Sequence, residues 1–260
     1  MIVRALEGLG IASAIAFVAW RAGSLDRSGF AAAVFVGTAA LAAGWSWGAL
    51  LFVFFVTSSA MSRAQREGKL RRTESVVAKG GARDAIQVLA NGGLFALAAL
   101  ASLVAPATPC MAIGVGALAA ATADTWGTEI GTISSHTPRL ITTWQPVAAG
   151  TSGGVTVAGL LASAAGGTVV GVVAWLVHWP PNVAVAAAVG GISGAFADSL
   201  AGALWQAKRR CARCDALTER TVHSCGVVTQ RIGGIPWLDN DGVNVLGGLV
   251  GAAVALALVR

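Results

Sequence analysis

Ala119-Ala120-Ala121-Thr122-Ala123-Asp124-Thr125-Trp126-Gly127-Thr128-Glu129-Ile130-Gly131 lies inside an apolar run from Cys110 to Ile133. That run is long enough to span a bilayer, for which about 20 residues suffice. The stretch from Ala119 to Gly131 nevertheless places two carboxylates and three threonines inside it. Ionisable groups at membrane depth are costly and are kept mainly where they face a cavity, an ion or a partner. The chemistry of the chain is therefore expected here.

The stretch has an echo. Ala195-Phe196-Ala197-Asp198-Ser199 repeats the Ala-x-Ala-Asp-(Ser/Thr) pattern of Ala121 to Thr125, 74 residues later. Gly80-Gly81 stands 43 residues before Asp124, and Gly153-Gly154 stands 44 before Asp198. Two copies of one unit follow from this spacing, over 79–134 and 150–206, each a glycine loop, a helix out and a helix back carrying the aspartate. Duplication of this kind tends to put a membrane site at the repeat interface. In a chain rich in Ala and Gly, a chance match of five residues is the plain alternative.

Of 260 residues, 55% are hydrophobic and 12% charged, about half the charge fraction of a soluble domain. This is the composition of a polytopic membrane protein in one integral domain, an all-α bundle of seven or eight transmembrane helices. The apolar run Gly8 to Trp20 ends at Trp20-Arg21 without a small-residue cleavage pattern, so it reads as a membrane helix rather than a signal peptide. Helices are expected near 3–20, 29–43, 45–61, 84–105, 110–134, 153–178, 183–206 and 243–259. Residues 29–61 are long for one span and short for two, so Gly44-Trp45-Ser46-Trp47 is the place for a hairpin. With the hairpin, the loops 21–28, 62–83, 135–152 and 207–241 share one side and hold 16 of the 18 Lys and Arg. A single helix over 29–61 leaves 15 there, so charge alone does not choose. By the positive-inside rule that side is cytoplasmic, in a prokaryotic inner membrane. Trp175 and Trp179 at one end, with Trp144, Trp205 and Trp237 at the other, fit interfacial belts. The net charge of +6 suits lipid headgroups and phosphate, and no motif argues for nucleic acid.

The loop after residue 61 carries Arg63, Arg66, Lys69, Arg71, Arg72, Lys79 and Arg83; a solvated positive loop explains the first five. Lys79-Gly80-Gly81-Ala82-Arg83-Asp84 differs because it runs straight into a helix, on which Arg83, Gln87 and Asn91 repeat every fourth position and so share a face. Glycines at a helix start expose N–H groups to an anion, and Lys79 and Arg83 add charge. The phosphate-loop pattern GxxxxGK[ST] is absent. Gly150-Thr151-Ser152-Gly153-Gly154 is a second glycine and hydroxyl loop at a helix start, readable as a phosphate cradle or as a flexible turn.

On an ideal helix Asp124 and Glu129 lie about 140° apart. One metal held by both needs a break at Gly127 or ligands from elsewhere. Asp124 is ten residues from Ser134, some 15 Å deep at about 1.5 Å per residue, so a cavity must reach it. Gly191, Gly194, Asp198 and Gly202 share a helical face whose small residues admit another helix; a packing role for Asp198 is the alternative. Trp237-Leu238-Asp239-Asn240-Asp241-Gly242-Val243-Asn244 opens the last helix. Asp239 or Asn240 can cap it, and the cluster also offers the hard oxygens that Mg2+ prefers. Cys211, Cys214, His223 and Cys225, in the loop 207–241, supply the four ligands of a structural Zn2+ site, with free thiols as the alternative. His136 and His178 are lone.

Lys79 to Asp84 with Gln87 to Gly93, Ala123 to Gly131, Pro138-Arg139-Leu140-Ile141-Thr142-Thr143, Gly150 to Val155, Asp198-Ser199, and Trp237 to Asp241 with Val243-Asn244 together resemble one integral membrane family. It includes the plant chloroplast phytyl-phosphate kinase and human transmembrane protein nineteen. The resemblance runs from about residue 29 to the C-terminus. It implies a kinase that converts an isoprenoid monophosphate, phytyl or prenyl, to the diphosphate at the expense of CTP or ATP, leaving nucleotide and tail open. The reading of the residues meets this independently: some subset of Asp124, Glu129, Asp198 and Asp241 would hold Mg2+ on the nucleotide phosphates, with Lys79, Arg83 and Arg139 on the acceptor and donor phosphates. Gly80, Gly81, Thr151, Ser152, Gly153 and Gly154 bind by backbone and hydroxyl. Asn91, Thr125, Thr128, Thr142, Thr143, Ser199, Asn240 and Asn244 complete the substrate and nucleotide set. The rival class is a transporter or lipid flippase that uses Asp124 and Asp198, for which an internal repeat is equally natural. Polar positions gathered near one membrane face speak against it. A further alternative is another phospholipid transferase, though the aspartates spaced along one helix that mark CDP-alcohol chemistry are missing.

Overall fold

The computed structural model describes residues 2–64, 72–73, 75–79 and 81–260. Gly80, Arg66, Lys69 and Arg71 lie outside these. The described chain is all-α: α1 (Ile2–Arg21), α2 (Arg27–Ala43), α3 (Trp45–Ala64), α4 (Ala85–Ala101), α5 (Ala107–Ile133), α6 (Val157–Leu176), α7 (Pro181–Leu204) and α8 (Asn240–Val259). Five short strands lie outside the bundle: β1 (Arg139–Leu140), β2 (Gly154–Val155), β3 (Lys208–Cys211), β4 (Ala216–Thr218) and β5 (Gln230–Gly233). Among the described residues six helices are long and apolar enough to cross a membrane; α2 and α4 have 17 residues each, about 25 Å at 1.5 Å per residue.

The α5 helix is the axis of the fold, with α4, α6, α7 and α8 packed around it. Its buried face runs almost unbroken from Cys110 to Ala123, because Ala and Gly there let neighbouring backbones come close. A Cβ on Gly251 of α8 would lie 2.6 Å from the Gly116 carbonyl, and one on Gly194 of α7 would lie 2.6 Å from the Gly247 carbonyl. Large apolar side chains such as Leu6, Phe35, Leu161 and Val185 point outward instead, as lipid-facing groups must. The end of the bundle opposite the basic loops is plugged by Trp47, whose ring lies 5.2 Å from Phe95 and 4.8 Å from Trp179, together with Val115, Leu118, Val170 and Val183.

Residues 29–61 form the two helices expected at 29–43 and 45–61, divided at Gly44, whose φ of 151° a side chain rarely tolerates. Two expectations are corrected. The helix expected from residue 153 starts only at Val157. Gly153 turns at φ 76°, Gly154 and Val155 pair with Leu140 and Arg139, and Thr156 caps the helix by accepting Gly159 N–H at 3.0 Å. Trp179 belongs to the core rather than to a belt. The turn at His178 (φ 63°) folds it back beneath α6, where its N–H donates to the Ala174 carbonyl.

The basic loops meet at one end of the bundle. Asp26 N–H donates to the Arg83 carbonyl at 3.1 Å and Glu219 N–H to the Val76 carbonyl at 2.8 Å. Arg72 caps the end of α5 through the Ser134 carbonyl at 2.6 Å, a favourable place for a cation. Segments 79–134 and 150–206 each form a loop and a helix pair, with Asp124 and Asp198 on the second helix of each.

Candidate functional site

A cavity of about 820 Å³ opens between these loops and descends to Asp124 and Asp198. The two carboxyl groups stand within hydrogen-bonding reach of each other. Their meeting is a product of the small-residue contacts: Gly191 rests on Ala119 and Gly194 on Ala120, while Gly247 touches the Asp198 side chain. One turn before Gly247, the Asn244 side chain lies 3.0 Å from Asp198 Oδ2 and 3.2 Å from the Asn240 carbonyl; both are acceptors, which assigns the amide nitrogen of Asn244 to that side as their donor. Two adjacent carboxylates in low dielectric repel strongly unless a proton or a cation lies between them. The all-oxygen donor set suits Mg2+ rather than a softer ion.

Glu129 leads elsewhere. The α5 helix runs unbroken past Gly127, so the angular separation of Asp124 and Glu129 stands, and the partner of Asp124 comes from α7. Buried Glu129 accepts from Ser62 Oγ of α3 at 2.7 Å, and Arg83 donates to the same Ser62 Oγ at 3.3 Å. Burial lowers the Arg83 pKa while the charge of Glu129 acts to raise it. Lys79 bridges Asp84 at 2.8 Å and Asp241 at 2.6 Å. Burial works against its charge, but these two hydrogen bonds prevail and raise its pKa above the ordinary lysine value. Asp84 caps α4 in a reciprocal box with Gln87, and Asp239 caps α8. Lys79 thus ties two helix starts together, and Asp241 Oδ1 is buried without a hydrogen-bond partner among the described residues.

Thr128, Thr151, Ser152, Gly153, Gly154, Ser199, Asn240 and Gly81 also line the cavity. Gly153 lies against the Ser199 carbonyl and Ala203, which seats the second glycine loop directly on the Asp198 helix. Other expected residues stand apart. Thr125 turns its hydroxyl onto the Ala121 carbonyl at 2.8 Å. Together with Asn91 it faces a second, apolar cavity of about 120 Å³ between α1, α2, α3 and α4, which Arg83 and Gln87 also line. Arg139 donates to the Trp144 carbonyl at 2.8 Å, and Thr142 and Thr143 sit on the exposed turn it braces, outside the cavity lining. Gly80 lies outside the described residues.

Three wall residues escaped the reading of the sequence. Ser152 Oγ lies 2.8 Å from Gln206 Oε1 and 2.7 Å from Glu219 Oε1. Burial pushes the Glu219 carboxyl up, against hydrogen bonds from Ser152 and the Ala78 backbone. Ser62 is the third. No motif surrounds any of them; Glu219 sits in a basic loop where a lone acid looks solvated.

Cys211, Cys214, His223 and Cys225 come together, their ligand atoms all within 4.8 Å of one another.

A family of integral membrane proteins, DUF92, matches residues 10–252. The chain is 36% identical over 260 residues to Protein PGR of Arabidopsis thaliana, covering 90% of this chain and 88% of that protein. It is 30% identical over 208 residues to an uncharacterised membrane protein of Methanocaldococcus jannaschii, covering 80% and 85% respectively. No solved structure matches.

Proposed function

The chain belongs to the DUF92 family of integral membrane proteins, and on that premise we propose that it is a Mg2+-dependent phosphotransferase of the membrane. It moves the γ-phosphate of CTP or ATP to an isoprenoid monophosphate, phytyl or prenyl, giving the diphosphate lipid. The observation that carries this reading is the Asp124 and Asp198 pair on the floor of a large cavity whose walls carry glycine and hydroxyl groups together with basic and acidic side chains such as Lys79, Arg83, Glu219 and Asp241.

The acceptor is already a phosphate. One of its oxygens attacks the γ-phosphorus, a new P–O–P linkage forms, the bond to the β-phosphate breaks, and the nucleoside diphosphate leaves. Such a reaction asks little of base catalysis and much of positioning and charge neutralisation. Asp124 and Asp198 would hold Mg2+, which supplies neutralisation of the nucleotide phosphates. Thr151 to Gly154 offer backbone N–H groups and hydroxyls for phosphate, and Arg83 brings a positive charge to the boundary between the polar and apolar cavities. A lipid lying with its phosphate near Arg83 would place the first part of its tail in the apolar cavity and the rest against the bilayer. The helix-pair segments 79–134 and 150–206 are read as copies of one unit with the site at their junction. By the positive-inside rule the basic end faces the cytoplasm of a prokaryotic inner membrane. A transport path fits poorly, because Trp47, Phe95 and Trp179 fill the opposite half of the bundle.

The test is an assay of purified protein with Mg2+, labelled CTP or ATP, and short prenyl or phytyl monophosphates. Label in the lipid diphosphate is the expected outcome, and it identifies the nucleotide. Absence of transfer with every pairing, alongside lipid movement in liposomes, would overturn the reading.

A further inference from the structure

The segment from Lys208 to Gly233 has an inverted interior. Its apolar side chains Leu217, Val222, Val228 and Ile232 are exposed, while Cys211, Thr218, His223 and Thr229 are buried, and none of its residues joins an apolar cluster. Ordering a chain costs about 1–2 kcal/mol per residue in backbone entropy, and three short strands without an apolar core cannot offset that. Small modules of this kind rely on a staple.

The side chains for one are in place. Cys211 and Cys214 sit on the turn between β3 and β4, which Asp215 closes with φ 52° and a 2.7 Å bridge from Arg210. His223 and Cys225 sit on a second tight turn, closed by Gly226 N–H to the His223 carbonyl at 2.8 Å. Across the two turns Cys211 Sγ is 3.6 Å from Cys225 Sγ, and within the second His223 Nδ1 is 3.2 Å from Cys225 Sγ. Ligands about 2.0–2.3 Å from a tetrahedral Zn2+ stand roughly 3.3–3.8 Å apart. Arg209, Arg210 and Arg213 flank the two cysteines of the first turn along the chain.

The span between the two turns carries Glu219 and Arg220 into the cavity wall. Thr218 Oγ1 and Glu219 N–H both donate to the Val76 carbonyl, three residues before Lys79. We propose that Cys211, Cys214, His223 and Cys225 bind one Zn2+ as a closed structural site, and that this ion holds residues 215–222 in place as a wall of the cavity. The site stands whether or not the protein transfers phosphate.

Metal analysis of the full-length protein, purified in detergent without chelator, tests the first half. One zinc per chain is expected in the wild type and in Cys110→Ser, and none in Cys214→Ser or Cys225→Ser. Zinc-free wild type made in zinc-supplemented medium, or unchanged zinc in both loop variants, would overturn the site. Trypsin tests the second half, since the loop is rich in arginine. Stripping the metal should speed cleavage between Lys208 and Arg231 by about tenfold, as proteolysis follows the open population, and added Zn2+ should reverse it. Equal cleavage with and without zinc would refute the staple.

Discussion

Replacing Asp198 by asparagine separates a catalytic from a packing role in one variant. The substitution keeps the volume of the side chain and leaves an oxygen to accept from Asn244, which now bonds Asp198 Oδ2 at 3.0 Å. What it removes is one charge of the Asp124 pair. Two bare carboxylates about 4 Å apart repel by roughly 4 kcal/mol at an effective dielectric near 20, so the wild type must gain a proton or a cation there. In EDTA the variant should therefore melt within a few degrees of the wild type or above it. With Mg2+ at a hundredfold excess over its dissociation constant the wild type gains about 2.7 kcal/mol. At roughly 2–4 °C per kcal/mol for a chain of this size, that is a rise of about 5–10 °C. The variant should show little of that rise, and its phosphate transfer should fall by about 10³, the scale of a lost electrostatic contact in a reacting site. Melting curves with and without Mg2+, read beside the transfer assay, decide it. Full activity removes Asp198 from the mechanism. A large fall of Tm in EDTA marks it as a packing group, and an undiminished Mg2+ response places the ion elsewhere.

The helix contacts predict a matched pair of variants. Gly194→Ala places a methyl against Ala120 and the Gly247 carbonyl and should cost about 1–3 kcal/mol together with most of the activity, whereas Gly248→Ala, with nothing within 4 Å, should be silent; equal effects on Tm would refute the packing account. Lys79→Met strands buried Asp241, and because Lys79 is itself 41% exposed the loss should be nearer 1–3 kcal/mol than the 3–5 of a fully buried pair. Adding Asp241→Asn should recover part of it, and additive losses would show that the bridge is not coupled. The Asp84 carboxyl is held below its ordinary value of 3.8: burial raises it, but hydrogen bonds from Lys79 and the Gln87 backbone outweigh that. Its stabilising contribution is thus present above 3.8 and lost as the pH falls through the folded value. The deficit of Asp84→Asn should be constant near neutrality and vanish in acid; a deficit that grows in acid would reverse the sign.

Much of the membrane architecture was readable because hydropathy and charge sorting are local. The helix carrying Asp124 announced itself by an apolar run interrupted by acids, and the two Ala-x-Ala-Asp units pointed to a shared site before any contact was known. Helix starts were harder. The glycine loop before α6 looked helical at residue 153, and only the pairing of Gly154 with Leu140 shows otherwise. The polar face expected from Arg83, Gln87 and Asn91 was half right in geometry, since Arg83 and Gln87 border both cavities but Asn91 faces only the apolar one.

By itself the sequence determined the class of molecule, the identity of the intramembrane acids and the presence of three Cys and one His in one loop. Each of these follows from residue chemistry and spacing along the chain. Tertiary structure decided which acids pair. Asp124 and Glu129 are five residues apart and go separate ways, one to Asp198 and one to Ser62 and Arg83, while Lys79 reaches 162 residues along the chain to Asp241. Glu219, unremarkable in its basic loop, becomes a wall of the site. The physical reason is that a helix fixes only the direction in which a side chain leaves it. What that side chain meets is set by how closely glycine and alanine let the next backbone approach.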